Sequence, residues 1–154
     1  MSKRRKPFVS RWPKTTNTIA IAIEGACVTP HARAIMGRNA ELFDLLRRGA
    51  MRDKLDFDRL TKAILIAENL REFPLAREHG ETFERAFDAL RSIDSARRER
   101  GSDRFVGTAE QLDAIRVALL VHQQQLRAAS ASEIDAAETR LRAQQLTIQG
   151  RRAA

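Results

Sequence analysis

Apolar residues recur every three or four positions along most of this chain, the spacing that places side chains on one face of a helix. Polar and charged residues fill the intervening positions, so the predicted helices are amphipathic and need neighbours to be stable. The pattern therefore predicts an all-α fold, a single-domain bundle of about five helices. The expected core positions are Ile35, Met36, Phe43 and Leu46; Leu60, Ala63, Ile64, Ala67 and Leu70; Phe83, Phe87, Leu90 and Ile93; Leu112, Ile115, Leu119, His122 and Leu126; and Ile134, Ala137 and Leu141.

Capping and breaking residues set the limits of the first two helices. Thr29 suits an N-cap, and two arginines followed by Gly49 are a typical helix end. The second helix is predicted to begin at Asp53 or Asp56. It ends before Pro74, because proline disfavours helical backbone at the residue that precedes it.

The other three helices have their own signals. The third is predicted from about 75 to 100, with Gly80 as a point near its start where it can break. The fifth is expected to fray near Thr147, which leaves 148–154 as a short disordered end. Two capping boxes are expected to start the last two helices: Thr108 with Gln111, and Ser130 with Glu133.

The N-terminal residues lack helical periodicity. Residues 1–17 are polar and basic and carry two prolines, so they are predicted to form a flexible, disordered tail ahead of a helical domain at 18–147. Residues 18–28 alternate Ile and Ala, the period of a strand. A lone strand has no partner for its backbone hydrogen bonds, so a short helix or extended segment ended by Gly25 is favoured.

The composition is that of a folded domain, with 43% hydrophobic and 31% charged residues. No apolar run approaches the ~20 residues needed to cross a bilayer. The stretch from Ile19 to Ile23 is too short for a secretory signal. The single cysteine, Cys27, cannot form an internal disulfide. A cytoplasmic protein without membrane contact is the simplest expectation.

The net charge of +8 is carried by the two ends of the chain. Residues 1–14 contain six basic side chains and no acid, and residues 139–154 contain four and no acid. Residues 15–138 hold 18 basic and 20 acidic side chains, a net charge of −2. A broad nucleic-acid surface on the folded body is therefore not expected, and any such contact is expected at the ends.

The residues that carry chemistry are sparse. No nucleotide-binding loop, nucleophile elbow or metal-binding motif occurs. Carboxylates and arginines follow one another at helical spacing, typical of solvated ion pairs. His122 falls on an apolar stripe and is expected to be a neutral, hydrogen-bonded core histidine; the alternative, a catalytic base, needs partners that the sequence does not supply. We expect no enzyme activity, no metal site and no cofactor.

The basic tail is the segment with the clearest functional character. Its six cations could displace phosphate counterions, and Phe8 and Trp12 could stack on unpaired bases. The candidate contacts with DNA or RNA are Lys3, Arg4, Arg5, Lys6, Arg11, Trp12 and Lys14. The alternatives are a solvated tail, a tail whose aromatic side chains dock on its own bundle, and contact with an anionic membrane or an acidic protein.

The order of these features resembles a family of small, largely uncharacterised proteins encoded by phages, prophages and related mobile elements of Gram-negative bacteria. The residues that carry the resemblance are Lys3-Arg4-Arg5-Lys6-Pro7-Phe8, Ile23-Glu24-Gly25, Pro30, Arg48-Gly49, Ala63 to Leu70, Arg104-Phe105-Val106, Leu112, His122 and Gln125-Leu126. The chain departs from the family at Gly107-Thr108, where relatives usually have Thr-Gly. The resemblance implies a phage or prophage accessory protein in the host-cell cytoplasm, and it brings no catalytic residues.

Two hypotheses follow from the sequence. The first is a non-enzymatic accessory or regulatory protein that contacts nucleic acid through residues 3–14. The second is a protein-interaction module that binds or inhibits a host or phage protein through an exposed helix face. A homo-oligomer of the bundle is compatible with either hypothesis.

Overall fold

The computed structural model describes residues 28–70 and 79–153. Five α-helices form this part of the chain, which has no strand, and the predicted all-α bundle is confirmed. The helices are α1 (Pro30–Arg47), α2 (Lys54–Asn69), α3 (Gly80–Glu99), α4 (Ala109–Ala128) and α5 (Ala131–Ala153). The predicted tail at 1–17, the Ile–Ala segment up to residue 27 and Pro74 lie outside the described residues.

Side-chain caps explain where α1 and α2 begin. The Thr29 hydroxyl accepts a hydrogen bond from the backbone N–H of Ala32 at 3.1 Å. The Asp53 carboxylate accepts one from the N–H of Leu55 at 2.9 Å. Each cap satisfies an N–H that has no partner within its own helix. The second helix therefore begins after the earlier of the two aspartates that the sequence offered.

Both predicted capping boxes are present. Thr108 accepts from the N–H of Gln111 at 3.2 Å, and the Gln111 side chain accepts from the N–H of Thr108 at 2.9 Å. Ser130 and Glu133 exchange the corresponding bonds at 3.3 Å and 2.6 Å. The order Gly107-Thr108 is thus compatible with a complete cap.

The remaining helix boundaries agree with the sequence-based predictions to different degrees. Gly49 closes α1 at φ +64°, and two backbone bonds to the last turn complete the stop, as glycine at this position allows. α3 begins at Gly80, the predicted break point. α5 extends as a helix to Ala153, past Thr147, where the sequence predicted that it frays. Residues 143–153 contain no proline and mostly good helix formers, and Gly150 alone among them strongly disfavours a helix.

α2 is the central helix of the bundle, because it packs against each of the other four. α3 and α4 form the most extensive helix pair, and α1 packs on α2 and α4. All five predicted core positions of α2, from Leu60 to Leu70, are buried. The other helices surround α2, so its apolar residues meet neighbours on several sides.

The buried side chains form two clusters. The larger joins α2, α3 and α4 with the end of α1. It includes Phe105, a fully buried residue of the α3–α4 connection whose ring stacks on Phe57 at a centroid distance of 4.2 Å. The guanidinium of Arg97 lies over the Phe105 ring at 4.7 Å. The smaller cluster joins the start of α1 and the ends of α2 and α4 to α5.

Several predicted core residues are only half-buried. They are Met36, Phe43, Phe87, Leu112 and Leu119. On α4 the buried face is instead made by Ile115, Ala118, Val121, His122, Gln125 and Leu126. The predicted helical spacing of apolar residues was correct. The face of α4 that neighbouring helices cover is, however, rotated about the helix axis from the face that its large apolar side chains predicted.

Candidate functional site

The candidate nucleic-acid residues belong to the part of the chain that the structure does not describe. These residues are Lys3, Arg4, Arg5, Lys6, Arg11, Trp12 and Lys14. Cys27 also lies there. The described residues therefore offer three features for function: a buried polar pair, the ion pairs of the helix surfaces, and the grooves between helices.

The buried polar pair consists of His122 and Gln125, both 0% exposed. The His122 Nδ1 lies 3.3 Å from the Gln125 Oε1. The Gln125 amide nitrogen donates to the backbone carbonyl of Ala67 at 3.1 Å. Ala67 is in the last turn of α2, where carbonyls lack partners within the helix. Gln125 thus links α4 to the end of α2, and the prediction of a hydrogen-bonded core histidine is confirmed.

The surroundings of His122 determine its protonation. Because the Gln125 amide donates to Ala67, its oxygen is left to accept from His122, which places the imidazole hydrogen on Nδ1. The Nε2 atom is buried and has no hydrogen-bond partner among the described residues. Burial lowers the pKa of His122 from 6.5 to about 4, while the hydrogen bond to Gln125 opposes the shift. The ring is therefore neutral at physiological pH.

Most ion pairs follow the predicted helical spacing and are exposed. Arg85 pairs with Glu81, and Arg91 pairs with Asp88 at 3.7 Å. Such pairs contribute little to stability, because water competes for both partners. The hydrogen bond from Arg47 lowers the pKa of Asp44 below its usual 3.8.

The side chain of Asp94 is only 15% exposed, and it contacts two arginines of its own helix. One of them is Arg97, at 3.2 Å, whose guanidinium also covers Phe105. This arrangement orders the α3–α4 connection. It is best explained as structural.

The apolar groove runs between α1 and α4. It is defined here by Met36, Phe43, Arg116, Leu119, Leu120 and Gln123, and its volume is about 150 Å³. No acidic residue lines it, and its one charged residue is Arg116, which pairs with Asp113 at 2.7 Å. Leu120 is 45% exposed at its edge. Three of these residues were expected in the core, so the groove is an uncovered part of the predicted apolar faces.

The described residues contain no group of three or more His, Cys, Asp or Glu side chains placed to hold a metal ion. No helix in the described ranges is long and apolar enough to span a bilayer. Comparison of the chain with protein-family models, with curated proteins and with solved structures finds no match. The case for function therefore depends on the residues and geometry given above.

Proposed function

We propose that this chain is a non-enzymatic accessory or regulatory protein of the phage or prophage type, which acts in the cytoplasm and contacts nucleic acid through residues 1–14. The observation that carries the proposal is the charge of that segment, six basic side chains without one acid. The resemblance of the chain to phage-encoded proteins supports the accessory role. The helical bundle is then the scaffold that presents the segment.

The distribution of charge explains why the N-terminal segment is the favoured contact. Many helix-surface arginines pair with carboxylates of their own helix, for example Arg85 with Glu81 and Arg98 with Asp94. Paired cations lose part of their attraction for phosphate. In residues 1–14 no acid competes, so up to six phosphate counterions can be released. Trp12 adds a flat ring on which an unpaired base can stack, at roughly 1–3 kcal/mol.

A direct test compares two variants that each lose four positive charges. One replaces Lys3, Arg4, Arg5 and Lys6 by glutamine, and the other replaces Arg140, Arg142, Arg151 and Arg152 in the same way. Binding to labelled single-stranded and duplex DNA and to RNA is measured by fluorescence anisotropy over a range of salt concentrations. The first variant should lower the slope of log Kd against log salt by about 3, and the second should leave it nearly unchanged.

The outcome that would refute the proposal is simple. If the intact chain binds none of the three nucleic acids at low salt, the N-terminal charge has another role. If the two variants bind equally well, the contact is not at the N-terminal segment. Trp12→Ala should weaken binding to single strands more than to duplex, because only unpaired bases offer their faces.

A second function, a protein-interaction module, is favoured by the apolar groove. The occupant that fits is an amphipathic helix of a host or phage protein. The groove follows α4 from Arg116 to Gln123, about two turns, which matches anchors at i, i+3 or i+4 and i+7. Because its charged residue is cationic and no acid lines it, the partner helix is expected to carry a carboxylate beside its apolar stripe.

The variant that tests this function is Leu120→Asp, matched by Leu55→Asp. Leu120 is 45% exposed and lies in the groove, whereas Leu55 is 54% exposed on α2 outside it. A partner that binds the groove should still bind the chain that lacks residues 1–14 and the Leu55→Asp variant. It should not bind the Leu120→Asp variant. Cross-linking to the intact chain should occur through a helical segment of the partner. If partner binding is lost with both leucine variants, or with neither, the groove is not the binding site. If the chain self-associates and Leu120→Asp alone abolishes that self-association, the occupant of the groove is a second copy of the chain.

A further inference from the structure

We infer that the groove between α1 and α2 is a second nucleic-acid contact, located on the bundle itself, which binds phosphate groups. This inference rests on the proposed function and extends it to the folded part of the chain. The cationic groove is defined by Arg38 and Asn39 of α1, Arg59 and Lys62 of α2 and Glu138 of α5. Its volume is about 200 Å³.

The helical register brings these side chains together. On α1 the lining residues are 35, 38, 39 and 42, and on α2 they are 59, 62, 63 and 66. Both sets are at i, i+3, i+4 and i+7, which is one face of each helix. Ile35 and Ile66 are buried, so the base of the groove is apolar. Arg38 and Arg59 are exposed and Lys62 is half-buried, so cations flank this apolar base from both helices.

Two of the three cations have no carboxylate partner within residues 28–70 and 79–153. Arg38 and Lys62 make no ion pair with any of the described residues, in contrast to the paired arginines of α3. Arg59 pairs with Asp56 at 3.1 Å. Glu138 is the one acid that lines the groove, and it pairs with Arg142 at 3.9 Å. Unpaired cations on opposite walls repel each other, and an anion between them would relieve that repulsion.

Two other polar grooves between described helices have the opposite charge. The groove between α3 and α4 is lined by one cation and three carboxylates: Arg85, Asp88, Glu110 and Asp113. The groove between α2 and α3 is lined by Arg91 and by three carboxylates as well. Positive and negative charges are therefore concentrated on different faces of the bundle, although residues 15–138 together have a net charge of only −2. A nucleic-acid backbone would be attracted to the α1–α2 face and repelled by the other two.

The chemistry of the groove suits a phosphodiester. A guanidinium and an ammonium supply charged donors, and the Asn39 amide supplies a neutral one. Residues 1–14 are joined to the start of α1 by the residues between Lys14 and Pro30, a reach of at most about 55 Å. One nucleic acid can therefore engage both contacts, and the second binding event becomes intramolecular.

The experiment uses two triple variants of the intact chain. The groove variant carries Arg38→Gln, Arg59→Gln and Lys62→Gln. The control carries Arg85→Gln, Arg91→Gln and Arg98→Gln, which removes the same charge from the exposed face of α3. Both are tested with labelled duplex DNA, single-stranded DNA and RNA, in the intact chain and in the chain that lacks residues 1–14. Circular dichroism verifies that each variant is folded.

The groove variant should bind at least about tenfold more weakly than the control, with a salt slope lower by about 2–3. The chain without residues 1–14 should retain weak binding that the groove variant abolishes. Equal affinity and slope for the groove and control variants would overturn this inference and leave the proposed function intact. If removal of residues 1–14 abolishes all binding at every salt concentration tested, the inference is also overturned. If the shortened chain binds as well as the intact one, the proposed N-terminal contact fails and the groove remains.

Discussion

Acid should destabilise this protein through His122. In the unfolded chain its imidazole takes a proton near pH 6.5, whereas in the fold burial holds its pKa at about 4. Between these values the unfolded state binds more protons, so stability is complete above about pH 6.5 and falls as pH decreases. The difference corresponds to a loss of about 2 kcal/mol at about pH 5 and about 3 kcal/mol near pH 4.

The measurement is urea denaturation followed by circular dichroism at about pH 7 and about pH 5. His122→Gln removes the titrating group and keeps a polar side chain beside Gln125, and His31→Gln makes the same change at an exposed histidine. Because carboxylates titrate alike in all three proteins, their effect cancels. The wild type and His31→Gln should each lose about 2 kcal/mol more than His122→Gln. An equal loss in all three would show that the buried histidine does not control the acid response.

Substitutions at three further positions test the packing and the caps. Phe105→Ala should lower the free energy of unfolding by about 3–5 kcal/mol, because it removes the ring between Phe57 and Arg97; a loss below about 1 kcal/mol in urea titration would contradict the stacked geometry. Gly49→Ala should cost about 1 kcal/mol, since its φ of +64° disfavours a side chain, and an unchanged melting temperature would refute this. Thr108→Ala should cost about 1 kcal/mol and Thr108→Ser far less; equal melting temperatures for the two would argue against the cap.

Helix starts could be predicted from the sequence because a cap acts within one turn of its own helix. Thr29, Asp53 and Thr108 each bond to an N–H two or three residues further along the chain. The stop at Gly49 is equally local. Such signals depend only on residues that are close together in the sequence. The signal at the end of α5 is weaker, because Gly150 disfavours helix after Thr147, and the helix nevertheless extends to Ala153.

The grooves could not be predicted, because they depend on how helices are arranged. Periodicity placed Met36, Phe43 and Leu119 on apolar faces, but it does not state whether a neighbour covers each position. Arg38 and Lys62 face one another only because α1 and α2 pack together. Gln125 follows His122 by three residues on α4, so the two side chains are on the same face of the helix. This spacing is a sequence signal that Gln125 is buried. Its partner, the carbonyl of Ala67, is on another helix and has no sequence signal.

The central position of α2 has a consequence for how the bundle opens. Since α1, α3, α4 and α5 all pack against it, any partial unfolding that releases one of them still leaves α2 covered by the others. Amide hydrogens in the middle of α2, around Ile64, become accessible only when the whole bundle opens. Their exchange with deuterium should be the slowest in the molecule and should report the global free energy of unfolding. The outer helices should exchange earlier, each through its own partial opening.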